Sequence, residues 1–221
     1  MCTGRVDLAF MLRAFRNGAD GVIIGGCWPG ECHYVTEGNM HALANVHLAR
    51  MMLRHMGVNP DRLRIEWISA AEGNRFAEVM SDFAGKLRKM GALGKGEGKD
   101  VKGLRLELDA ALALVPYIKL VERERLRVPS RTEAAINEFY ASDEVAGLVR
   151  DLIVDRIATS QIMALVRARP VAPGEISRIL GIAPSDVSRH LDASARQGLV
   201  RFDGERDLVV PTQGSQERAH G

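Results

Sequence analysis

The run Gly21-Val22-Ile23-Ile24-Gly25-Gly26 constrains the fold of this chain more than any other stretch. An unbroken apolar segment bounded by glycines has the signature of a strand buried on both faces, the kind found in parallel sheets. A helical pattern precedes it: Val6, Phe10, Leu12 and Phe15 stand at roughly helical spacing, and Asn17-Gly18 stops the pattern. A second helix is predicted over Met40 to Met56 and ends at Gly57, and Asn59-Pro60 turns the chain into a second strand from Leu63 to Ser69. Glu72-Gly73 then opens a third helix that runs through Met90. Helix and strand alternate, so the first ninety-odd residues read as an α/β, parallel-sheet three-layer domain. Met1-Cys2 falls where a preceding strand would end, so the first strand is read as incomplete and the N-terminus as truncated.

Downstream the pattern changes twice. Gly91 to Gly103 is rich in glycine and lysine and reads as a flexible linker; no glycine stands five residues before a Gly-Lys-Ser/Thr, so it is no phosphate loop. A helical connector follows, kinked or split at Pro116, with Ser142 as an N-cap. From Ser160 onward, helix, Pro170 break, helix, Gly181 turn, helix and an Asp203-Gly204 corner between two short strands spell a small winged helix-turn-helix domain. The expected division is residues 1–92, 93–150, 151–212 and a disordered tail over 213–221.

Charge and composition exclude several roles. Thirty Lys+Arg against 28 Asp+Glu leave a net charge of +2, too balanced for a general nucleic-acid coat. No apolar run approaches the roughly 20 residues of a membrane span, and Arg5 and Asp7 break any secretory leader at the N-terminus. Three cysteines without a leader point to a reducing cytoplasm. The histidines at 41, 47 and 55 lack zincin spacing, and no G-x-S-x-G elbow is present. Glu66 and Glu72 read as solvated carboxylates and Trp67 as core.

The cysteines carry the chemistry. Cys27 and Cys32 stand in GGCWPGECHY, where a strand ends in glycines and the Pro29-Gly30 turn separates the pair. Ligands of open α/β sheets lie beyond the carboxyl ends of strands, which is where Cys27 belongs; Cys2 would close the neighbouring strand. Thiolates at C-x4-C spacing occur in [2Fe–2S] sites. Zinc held by Cys2, Cys27, Cys32 and His33 is one rival, although adjacent Cys32 and His33 make an awkward pair, and ordinary free cysteines are the other.

The segments MCTGRVD at 1–7, LRAFRNGADGVIIGGCWPGECHY at 12–34 and NPDRLRIEWISAAEGNRFAEVM at 59–80 resemble the methyl-viologen-reducing hydrogenase delta subunit family, also known as hydrogenase iron–sulfur subunits. The resemblance spans about residues 1 to 92. It implies a [2Fe–2S] cluster with Cys2, Cys27 and Cys32 as ligands. It also implies electron relay between a hydrogenase or another oxidoreductase module and the flavin subunit of a heterodisulfide reductase. The family usually begins further upstream, with a strand and a C-x-x-C-like motif that this sequence lacks, so the fourth ligand is not in this chain.

The segment SDVSRHLDASARQGLVRFDG at 185–204 resembles the recognition helix and wing of small winged-helix regulators. Ser185, Ser188, Arg189 and His190 would then meet DNA or a partner protein, with Arg201 and Arg206 near the wing. Asp186, Asp192, Asp203, Glu205 and Asp207 offset those arginines, so weak DNA binding or protein docking is expected. A redox-responsive DNA-binding regulator and a cluster-less scaffold are therefore the alternatives to the relay.

Overall fold

Parallel pairing of the two apolar runs organises the N-terminal half. In a computed structural model of the chain, which describes residues 2–35, 38–128, 130, 132–204 and 207–212, the residues fall into two units, Met1–Ile153 and Val154–Gly221.

In the first unit, β1 (Val22–Gly26) pairs in parallel with β2 (Leu63–Trp67), Val22 opposite Leu63 and Gly26 opposite Trp67. Helix α1 (Leu8–Arg16) precedes β1. Its N-cap is Asp7, whose carboxylate accepts from the Ala9 and Phe10 amides at 2.9 and 3.3 Å. It buries Leu8, Met11, Leu12 and Phe15 on one face; Phe10, expected from its spacing to join Leu12 and Phe15, is 60% exposed, because it falls on the opposite side of the helix from them. Helix α2 (Asn39–His55) makes the crossover from β1 to β2, and α3 (Gly73–Met90) follows β2. The sheet holds only these two strands among the described residues, and the unit is otherwise helical, so the expected three-layer architecture is present in part.

Helices complete the core. Helix α4 (Val101–Ala113) packs on α1; α5 (Val115–Arg125) starts with Pro116 in its first turn, so the helical run splits at Leu114. Helices α6 (Glu133–Ala141) and α7 (Asp143–Val149) pack on α2, and Ser142 caps α7 by accepting from the Val145 amide.

The glycine–lysine stretch expected to be a flexible linker has fixed partners. Arg62 is fully buried; its Nε lies 2.5 Å from Glu97 Oε1, and its other nitrogens donate to the carbonyls of Asp20 and Met90 at 2.9 and 3.3 Å. Glu97 also accepts from the Gly94 amide at 2.9 Å. A Cβ on Gly96 would strike the Met90 carbonyl and Arg62 Nη2, so glycine is required there by close approach. Composition signals flexibility at 91–103, but a buried guanidinium needs acceptors, and this segment supplies them.

In the second unit, α8 (Asp155–Ala168), α9 (Pro173–Leu180) and α10 (Pro184–Arg196) precede an antiparallel hairpin, β3 (Val200–Asp203) and β4 (Leu208–Pro211). Ile162, Val166, Val171, Ile176, Val187, Leu191, Val200 and Val209 form its core. Gly181 takes a left-handed conformation (φ 65°) between α9 and α10, giving the helix–turn–helix corner. Among the described residues no helix is long and apolar enough to cross a membrane.

Candidate cysteine site

The carboxyl end of β1 and the amino end of α2 meet, and the three cysteines lie at that junction. Gly26 packs under the Trp67 ring, where a Cβ would come within 2.9 Å of it. This close fit brings the strand end down onto β2 before the chain opens into the Cys27 loop. Buried Asn39, the first residue of α2, donates through Nδ2 to the carbonyls of Cys27 and Trp28 at 2.8 and 3.2 Å and so fixes the loop's start. Trp28 Nε1 donates to Glu72 Oε2 at 2.8 Å, and the Arg75 guanidinium lies 4.9 Å over its ring. Glu72 therefore braces the loop, rather than standing as the solvated carboxylate its sequence position suggests.

The N-terminal segment joins from the other side. Thr3 Oγ1 donates to the Gly25 carbonyl at 2.6 Å, which ties the short turn at Thr3–Arg5 to the end of β1. Cys2 Sγ then lies 3.8 Å from Cys32 Sγ and accepts from the Gly4 amide at 3.4 Å. All three cysteines are unbridged and half-buried. Burial, reinforced by the neighbouring sulfurs of Cys32 and Cys2, pushes the Cys27 thiol up. Burial also acts against ionisation of Cys32, yet the main-chain amides of Asn39 and Tyr34 and the thiols of Cys27 and Cys2 bring it below its ordinary value. Cys32 Sγ donates to the Tyr34 carbonyl at 3.5 Å, and the Asn39 amide belongs to the first turn of α2, which has no side-chain cap. Gly38 makes this possible: a Cβ there would collide with Cys32 Sγ and the Tyr34 carbonyl.

The donor set suits an iron–sulfur cluster in part. Two thiolates on one tetrahedral centre, each about 2.3 Å from the metal, stand about 3.8 Å apart, and the Cys2–Cys32 separation matches this. The chain contains three cysteines, one fewer than a four-thiolate set. Among the described residues no group of three or more His, Cys, Asp or Glu side chains is arranged to hold a single metal ion. The zinc set with His33 does not assemble: His33 is exposed and sits edge-on to Tyr34, with ring centroids 5.2 Å apart.

On α10, Ser185, Ser188 and Arg189 are exposed. His190 is not; it is 5% exposed and its Nδ1 lies 3.1 Å from Thr159 Oγ1. The reading of His190 as a contact residue is corrected by helical geometry, because it shares the buried face of Val187, Leu191 and Ser194. Arg189 forks onto Asp155 at 2.8 and 3.1 Å and reaches Asp186 at 3.4 Å, pairings that raise its pKa. Arg201 is exposed on β3, while Glu205, Arg206 and the tail expected over 213–221 lie outside the described residues.

Sequence reasoning missed Asn39, Gly38 and Thr3. Only the polar Asn39 at a helix start hinted at its bracing role.

Residues 1–91 match the family model of the methyl-viologen-reducing hydrogenase delta subunit, and residues 159–201 match that of bacterial regulatory proteins of the arsR family. An F420-non-reducing hydrogenase iron-sulfur subunit of Archaeoglobus profundus is 51% identical over 90 residues, 41% of this chain and 65% of that protein. The F420-non-reducing hydrogenase vhu iron-sulfur subunit of Methanopyrus kandleri is 33% identical over 92 residues, 42% of this chain and 69% of that protein. A subunit of the ferredoxin/F(420)H(2)-dependent CoB-CoM heterodisulfide reductase of Methanosarcina acetivorans is 42% identical over 94 residues, 42% of this chain but 12% of that much longer protein. The chain thus spans a little under two thirds of the Archaeoglobus relative. Through its first 91 residues it belongs to the methyl-viologen-reducing hydrogenase delta subunit family.

Proposed function

We propose that residues 1–92 form an iron–sulfur electron-transfer module in which Cys2, Cys27 and Cys32 hold a [2Fe–2S] cluster. The observation that carries this reading is the Cys2–Cys32 separation of 3.8 Å at the junction of β1 and α2. When bound, such a cluster accepts and donates one electron at a time. The chain's own part is positioning. Asn39 and Thr3 hold the segments that carry Cys27 and Cys2, and the main-chain amides of Asn39 and Tyr34 favour the Cys32 thiolate. Amide donors to sulfur and burial are the levers by which a protein sets a cluster's potential. The fourth ligand is not a cysteine of these 221 residues.

The proposed partners are a hydrogenase or another dehydrogenase on one side and a heterodisulfide reductase-type flavin subunit on the other, in the cytoplasm. The names of the relatives support this pairing. The helical connector, residues 93–150, buttresses the module. Anaerobic purification with iron and acid-labile sulfide assays, followed by EPR after dithionite reduction, tests the reading. About two irons and two sulfides per chain with a rhombic reduced signal are expected. Zinc, or no metal after reconstitution with iron and sulfide, would overturn it and leave a structural site or a cluster-less scaffold.

A second reading attaches to residues 151–212, where the arsR-family match and the helix–turn–helix with hairpin favour a winged helix. Arg189 is already neutralised by Asp155 and Asp186, which favours protein docking over phosphate contact. A gel shift that vanishes on raising salt would instead make this unit a DNA-binding regulator.

A further inference from the structure

A cleft of about 920 Å³ opens in the first unit between the Gly4–Phe10 segment, α2, α5 and α6. Sites of about 300–1,000 Å³ accommodate drug-sized ligands. One side of the cleft comes from the cysteine-bearing segment and α2, and the other from residues 119–140, beyond the part that matches the family model. Nothing in the electron-transfer reading uses it.

Its charge is lopsided. Arg5, Lys119, Arg123 and Arg127 line it against Asp7 and Glu122. Lys119 is bonded to Asp7, and Arg123 pairs with Glu124, whereas Arg5 and Arg127 form no ion pair among the described residues. The planar guanidinium fork suits carboxylate and phosphate oxygens. The apolar part of the lining is anchored by Phe10, which lies 60% exposed on a helix whose other large apolar residues are buried. An exposed ring of this kind offers a stacking face.

The floor is polar and specific. Asn45 Nδ2 donates to the Val6 carbonyl at 3.5 Å and lies 3.2 Å from His41 Nε2. A nitrogen that donates to a carbonyl presents hydrogens, so His41 Nε2 accepts and the ring carries its proton on Nδ1. Nδ1 faces Glu122 Oε1 at 3.7 Å. Tyr140 also lines the cleft, is 6% exposed, and has a hydroxyl with no hydrogen-bond partner among the described residues. A buried hydroxyl without a partner is a cost that a ligand can relieve.

We propose that this cleft binds a planar aromatic anion of mononucleotide size, with its ring against Phe10, its phosphate or carboxylate on Arg5 and Arg127, and its polar edge toward Glu122 and Tyr140. The proposal is independent of the cluster, because none of these side chains belongs to the cysteine site.

Isothermal titration of the full chain at low salt with AMP, adenosine, inorganic phosphate and benzoate tests it. At least one aromatic anion, AMP or benzoate, should bind, at least about tenfold more tightly than adenosine or phosphate. The tighter of the two identifies phosphate or carboxylate as the recognised group. Phe10→Ala and the double variant Arg5→Ala/Arg127→Ala, all at exposed positions, should each weaken that binding by about fivefold or more without changing the thermal unfolding curve. Three results would overturn the proposal: no binding of either aromatic anion at millimolar concentration, adenosine or phosphate binding as tightly as the aromatic anion, or variants that bind as the parent does.

Discussion

Replacing Arg62 by alanine should unfold the first unit far more easily than any surface substitution. Arg62 is 0% exposed and satisfies three acceptors: the Glu97 carboxylate and the carbonyls of Asp20 and Met90. Its removal strands Glu97, 10% exposed at its side chain, as a poorly compensated carboxylate and leaves two carbonyls short of a donor. Breaking a buried pair by deleting one partner costs about 3–5 kcal/mol. The double replacement Arg62→Met/Glu97→Met removes both charges and fills the space. It should recover most of that loss but not all, because Glu97 also accepts from the Gly94 and Asn59 amides, each worth about 1 kcal/mol. The double variant is therefore expected to sit about 1–3 kcal/mol below the parent. Both tryptophans, Trp28 and Trp67, lie in the first unit, so urea unfolding followed by tryptophan fluorescence reads this unit alone. With a urea slope of about 1–3 kcal/mol per molar, the single variant's midpoint should fall by at least about 1 M. A shift below about 0.3 M, or a double variant less stable than the single, would refute the argument that a buried guanidinium organises this corner.

Three further outcomes follow from the same geometry. Gly38→Ala should displace the Cys32 sulfur and cut iron incorporation on reconstitution severalfold, read by iron and sulfide assay, while Gly30→Ala, where a Cβ meets open space but φ is 88°, should cost folding stability more than cluster yield. Ser142→Ala should destabilise the first unit by about 1 kcal/mol through loss of the α7 cap, measured by the same fluorescence titration. Burial, aided by the charge of Arg189, holds His190 below its ordinary value, so the folded second unit binds its proton less readily than the unfolded chain does. The stability this neutral imidazole allows is present above the unfolded value of 6.5 and is lost as pH falls through it. Far-UV melting between pH 7 and 5 should show that decline, and His190→Gln should reduce it, leaving the part due to His47 and His55, which burial also holds below their ordinary value.

Much of the α/β pattern was legible because its signals are periodic. The apolar run 22–26, the Leu63–Trp67 strand and the face of α2 follow from side-chain spacing alone, whereas on α1 the spacing wrongly grouped Phe10 with the buried Leu12 and Phe15. Pro116 announced the α4–α5 break, which the structure places two residues earlier, at Leu114, because proline is favoured in a helix's first turn. Arg62 was illegible: an arginine after Asn59-Pro60 reads as a solvated turn residue, and only tertiary packing reveals that Asp20, Met90 and Glu97 converge on it. His190 was within reach. Val187 and Leu191 flank it at helical spacing, a periodicity that turns it inward.

The cysteine site shows where sequence spacing stops carrying information. The end of β1 placed Cys27 correctly, and C-x4-C suggested a shared centre, but the sulfur that comes within 3.8 Å of Cys32 belongs to Cys2, thirty residues away in the chain. Three residues with no metal-binding chemistry of their own make that approach: Thr3 anchors the N-terminal turn to Gly25, Asn39 pins the loop, and Gly38 leaves room for the sulfur beside α2. All three lie within the 91 residues that match the family model, so the contacts of Thr3, Asn39 and Gly38 that order the thiols fall inside that segment. The aromatic-anion cleft, by contrast, needs Glu122, Arg127 and Tyr140 from outside it. Thiol geometry and cleft are thus separable by mutation: Phe10→Ala should leave iron incorporation unchanged, and Gly38→Ala should leave anion binding unchanged. Loss of both functions in either variant would mean that the two sites share a structural support beyond these contacts.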